Sequence, residues 1–140
     1  MGKYAMIKQG FNIGDRDWYV MAYYDIQTIG DLREVEEALT AARCRRQAIE
    51  AAIEVMTEPN TGYTFSNFDE RLTLIFISRA TSPEQMYDTI QHELKHATEH
   101  IGEFFGVEPQ SEESAYLQGE LARKMFAAAS IAVCPVCKCA

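Results

Sequence analysis

The stretch from Leu72 to Gln85, LTLIFISRATSPEQ, constrains the fold more than any other part of the chain. LTLIFIS reads as a strand that is apolar on both faces, and Tyr63–Asn67 reads as its hairpin partner across Phe68-Asp69-Glu70. Ser82 then stands at a helix cap, with Pro83 at the first helical position and Gln85 three residues after the cap. The helix they open carries Met86, Ile90, Leu94, Ala97 and Ile101, and the spacing predicts that it stops near Gly102.

Upstream, Asp17–Ile26 is dense in aromatic and branched residues and reads as a strand closed by Gly30. Asp31 and Glu34 have the form of a capping box, followed by Leu32, Val35, Leu39, Ala42, Ile49, Ile53 and Met56 at steps of three and four. This predicts one helix of about 25 residues, with its stripe interrupted at Arg46, ending before Glu58-Pro59-Asn60. Too few heptads are sustained for a coiled-coil seam, so the helix is expected to pack across a sheet. Downstream, Ser111 caps a last helix through Tyr116, Leu121, Met125 and Phe126 to about Ser130, with VCPVCKCA beyond it. The expected class is α+β: a small, mainly antiparallel sheet packed with three helices, in one domain over residues 1–140, with 131–140 a cysteine-rich tail.

Composition bounds the function. With 13 basic against 21 acidic residues the formal charge is −8, which argues against a surface that tracks phosphates, so no nucleic-acid partner is expected. The N-terminus lacks the apolar core of a secretion signal, and no apolar run approaches the ~20 residues that span a bilayer. The expectation is a cytoplasmic protein with no membrane partner.

The motif helix contains His92-Glu93-Leu94-Lys95-His96. Residues four apart share a helix face, so His92 and His96 can offer two imidazole nitrogens to one Zn²⁺. Glu93 projects beside them, where its carboxylate can serve as general base toward zinc-activated water. His100 continues the series, but lies about 12 Å from His92 along the axis, too far to converge on the same ion. It is expected near the last helical carbonyls. Asp88, one turn before His92, either faces solvent or holds that imidazole's other nitrogen.

A third ligand must come from the next helix, where the candidates are Glu112, Glu113 and the more distant Glu120. Glu112 shares a face with Tyr116 and Gly119, which favours it over Glu113, although acids in a first helical turn also stabilise the helix dipole alone. Tyr116 could orient Glu112, stabilise an oxyanion or serve as a core aromatic. A peptide substrate could add as a strand along a sheet edge, and Leu72–Ser78, which feeds into the motif helix, is the natural candidate.

NTGYTFSN, the apolar strand, TIQHELKH and SEESAYLQG together resemble small zincin-type proteins of phages and gut-type bacteria. The resemblance covers roughly residues 60 to 125 and implies a minimal gluzincin-like fold. It implies zinc on His92, His96 and Glu112, with Glu93 catalytic and a bacterial host cytoplasm as the setting. The implied activity is a zinc metallopeptidase acting on a peptide or protein substrate. The rival is a non-catalytic, metal-stabilised phage accessory or interaction module. A third reading is a regulatory protease with a single repressor-like partner, inert on generic peptides. The tail carries Cys134, Cys137 and Cys139, half of a zinc ribbon that only Cys44 could complete, or else a flexible reduced end.

Overall fold

The computed structural model describes residues 5–14 and 16–137, and side chains up to Cys134. The class is α+β, as expected. Four strands, β1 (Ile7–Asn12), β2 (Tyr19–Ile26), β3 (Gly62–Asn67) and β4 (Leu72–Ser78), form one sheet in the order β1-β2-β4-β3. The β1–β2 and β3–β4 pairings are antiparallel and β2–β4 is parallel.

Four helices cover the sheet: α1 (Ile29–Ala41), α2 (Arg46–Met56), α3 (Pro83–Phe105) and α4 (Glu112–Cys137). Strand alternation sends Val20, Ala22, Tyr24, Ile75 and Ile77 to a core shared with α3 and α4. Tyr23, Leu74 and Phe76 go to a second core, under α1 and α2. α3 lies over β3 and β4, and α4 over β1 and β2, so α3 sits at the β3 edge of the sheet.

The predicted single long helix is two. α1 starts earlier than expected, because the capping box is Thr28 with Asp31: Thr28 Oγ1 accepts from Asp31 N at 3.0 Å, and Asp31 Oδ2 from Thr28 N at 3.1 Å. It ends where Arg43 adopts a left-handed φ of 66°. There Cys44 N bonds Leu39 O at 2.9 Å and Arg43 N bonds Thr40 O at 3.0 Å, the paired bonds that usually need glycine at the turn. Arg43→Gly is therefore expected to stabilise the protein by roughly 0.5–1 kcal/mol, since the strain on a β-carbon here exceeds glycine's entropic cost. A urea midpoint that falls in this variant would contradict that account of the turn.

α3 also passes its predicted end. Gly102 is buried within the helix against Val107 and Leu117, and the left-handed residue is Gly106, with φ 72° and Val107 N bonded to Gly102 O at 2.8 Å. Ser82 and Ser111 cap as expected: Ser82 Oγ accepts from Gln85 N and Ser111 Oγ from Ser114 N, both at 3.1 Å. α4 extends to Cys137, beyond the expected end near Ser130. β1 was not anticipated; its apolar alternation, Ile7 and Phe11, is broken by Gln9 and Gly10.

Two further expectations change. β4 is flanked by β2 and β3, so its edges are both used and the free edge beside α3 belongs to β3. Cys44 lies in the core under α1 and α2, with the sheet between it and α4, which carries Cys134. That placement separates Cys44 from Cys134, and burial pushes its thiol up. The pairing of Cys137 and Cys139 lies outside the described residues. No helix among the described residues is long and apolar enough to cross a membrane.

Candidate metal centre

α3 rests on the sheet through Met86, Ile90, Leu94, Ala97 and Ile101. Turning 100° per residue, this arrangement aims Glu93 and His100 at β3, carries His96 out along that flank and puts His92 near the top of the helix, opposite the sheet.

His92 and His96 are exposed, and their rings meet edge to face with centroids 4.8 Å apart. Their Nε2 atoms face each other at 3.2 Å. Two nitrogens bound at ~2.0–2.1 Å to one tetrahedral ion would stand roughly 3.3 Å apart, so the observed separation matches that of two ligands on one zinc. Ligand atoms of His92, Glu93 and His96 all lie within 4.8 Å of one another, the one such group among the described residues. On its outer side His96 Nδ1 stands 3.8 Å from Glu99 Oε1, while Glu99 Oε2 pairs with Lys95 at 3.2 Å. Asp88, Glu99 and Gln118 line a depression of about 420 Å³ beside the two imidazoles.

Glu93 is only 4% exposed. Its Oε1 accepts a 2.7 Å hydrogen bond from Thr64 Oγ1 on the edge strand. Beside it, Gly62 leaves the space the side chain occupies: a β-carbon there would stand 2.5 Å from Glu93 Cγ and 2.8 Å from Oε2.

His100 is not near the helix-terminal carbonyls. Its Nδ1 meets Ser66 Oγ at 2.8 Å, Ser66 Oγ meets Thr73 Oγ1 at 2.8 Å, and Trp18 Nε1 donates to Thr73 Oγ1 at 2.9 Å. Either hydroxyl can donate within the Ser66–Thr73 pair, and Nδ1 can accept from Ser66 when the imidazole is neutral. Burial, and then the neighbouring His96, lower the His100 pKa against the opposing pull of Glu103 and Glu99. The unfolded chain therefore binds more protons here, so stability is full above about pH 6.5 and declines as pH falls below it. His100→Gln should flatten the part of the stability–pH curve below about 6.5; a wild-type minus variant difference that does not change with pH would refute this.

Glu112 is not in the group. α4 runs back along α3 with Leu117 packed at Gly102, and Glu112 is exposed at its start. At ~1.5 Å per residue, the six residues from Gly102 to His96 and the five from Leu117 to Glu112 put the two on the order of 16 Å apart along the axes. Glu113 instead pairs with Arg16 at 3.3 Å, and Glu120 points toward Gly14. Tyr116 is 75% exposed and does not line the depression beside the two histidines. Gly62 and Thr64 escaped the sequence reading, although a glycine inside a strand is itself a sign of close approach.

Comparison with protein-family profiles, with curated proteins and with solved structures finds no match for this chain.

Proposed function

We propose that the chain is a small zinc-dependent hydrolase of zincin type, cleaving peptide bonds, with His92 and His96 as zinc ligands and Glu93 as general base. The observation that carries this reading is the convergence of two imidazole Nε2 atoms at 3.2 Å beside a buried carboxylate. Zinc, when bound, polarises a carbonyl and makes water more acidic. Glu93 would take the proton at its carboxylate and later return it to the leaving amine. Glu99, against the outer nitrogen of His96, would hold that ring in orientation.

The edge strand supplies a seat for substrate. Ser78 N bonds Thr61 O, so in this register Tyr63, Phe65 and Asn67 turn their backbone groups to β4, while Gly62, Thr64 and Ser66 present theirs to the open edge. The Thr64 and Ser66 side chains face α3, at Glu93 and His100, and Gly62 lies against Glu93. An extended peptide adding to β3 would pair with the residues that flank the base.

The exposure of both imidazoles, with no third ligand from α4 among the described residues, favours a second reading: a metal-stabilised interaction module whose remaining ligand comes from a partner. The two separate on a bacterial lysate treated with zinc-loaded protein, with new protein N-termini mapped by mass spectrometry. The hydrolase should create termini that vanish with a chelator and return with zinc. Zinc-loaded protein that creates none would leave the interaction module and the regulatory protease restricted to a single partner.

A further inference from the structure

We propose that Gly62 and Thr64 form a cradle that holds the Glu93 carboxylate out of the metal's coordination sphere, and so makes it a base instead of a third ligand. The inference rests on the zinc reading of His92 and His96. One Glu93 carboxylate oxygen lies within 4.8 Å of a ring nitrogen of each imidazole, near enough for a change of rotamer to bring it into coordination. Nothing on α3 itself prevents this. The restraint comes from β3, where Thr64 Oγ1 donates to Oε1 at 2.7 Å and also lies 3.3 Å from the Glu93 backbone carbonyl. Gly62 is the other half, since any β-carbon would fall 2.5 to 2.8 Å from the Glu93 Cγ, Cδ and Oε2 atoms and push the carboxylate away from the strand. The displaced carboxylate would have the histidine pair as its nearest polar neighbours, and a bare two-histidine site gains by accepting it. Gly62 and Thr64 are positioning residues, acting through Glu93 alone.

The test uses Co²⁺ as probe, because its visible absorption reports coordination number and ligand type without any substrate. The full chain, Thr64→Ser, Thr64→Val and Gly62→Ala would each be titrated with Co²⁺, with and without Glu93→Gln. In wild type and Thr64→Ser, Glu93→Gln should leave the spectrum unchanged. In Thr64→Val and Gly62→Ala the spectrum should shift and binding should tighten by roughly tenfold, the low end of what groups supporting a metal site command. Adding Glu93→Gln to either should reverse both changes. Thr64→Val decides the matter, since it matches threonine in shape and replaces the hydroxyl with a methyl group that cannot donate to Glu93. A folded Thr64→Val with wild-type spectrum and affinity would overturn the cradle and leave the metal site standing. A wild-type spectrum that already changes with Glu93→Gln would overturn it too, by making Glu93 a ligand. A wild-type chain that takes up no Co²⁺ would overturn the metal reading, and the cradle with it.

Discussion

Glu93→Gln is expected to lower peptide hydrolysis by roughly 10²–10⁴-fold while leaving zinc bound. The amide is nearly isosteric with the carboxylate, and its oxygen can still accept from Thr64 Oγ1, so the side chain should keep its place against the edge strand. What it loses is the ability to accept a proton. The measurement pairs turnover, on a substrate found through lysate mapping, with zinc content per chain. Zinc lost from the variant would make Glu93 a ligand; unchanged turnover with zinc retained would exclude it as the base.

Trp18→Ala is expected to cost about 3–5 kcal/mol, the range for removing a large buried aromatic. That is a large share of the ~5–15 kcal/mol that stabilises a domain of this kind, and should unfold a sizeable fraction of the protein near physiological temperature. Trp18 is fully buried, with ring centroids 5.1 to 5.9 Å from Phe68, Phe104 and Phe105. Its indole N–H also starts the hydrogen-bond chain through Thr73 and Ser66 to His100, which ties the end of β4 and the hairpin to the motif helix. Since this is the single tryptophan, unfolding should be followed by circular dichroism. A loss below about 1 kcal/mol would mean that the aromatic cluster repacks around the void, contrary to the density of a protein interior.

The parts of the fold that local chemistry writes were legible. Ser82, Pro83 and Gln85 mark the start of α3, and the hairpin Tyr63–Ser78 follows from two strand patterns around a turn. The break between α1 and α2 was half visible, as an interruption at Arg46; the turn itself uses Arg43, which carries no glycine signal. Gly102 misled because a glycine near the end of a helical pattern can cap the helix or simply allow close packing, and Val107 with Leu117 occupies that space.

The two histidines and Glu93 converge as the i, i+1, i+4 spacing requires, a local property of one helix. Glu112 depended on how α4 lies against α3, which spacing within α4 cannot decide. The buried seam through Leu117, Leu121 and Met125 sets that packing and carries Glu112 to the wrong end of α3. The partners of Glu93 and His100, Thr64 and Ser66, come from a strand about 30 residues away in sequence, so only the strand register could reveal them.

The central claim is a metal site on one face of α3, and the most direct measurement is zinc content per chain for protein purified without added metal. It should be made on the wild type, His96→Ala, Glu112→Ala and a chain ending before Cys134. The proposed site on His92 and His96 predicts one zinc per chain in the wild type, none in His96→Ala, and one in both Glu112→Ala and the truncated chain. Zinc that persists in His96→Ala, or that leaves with the tail, would contradict the site.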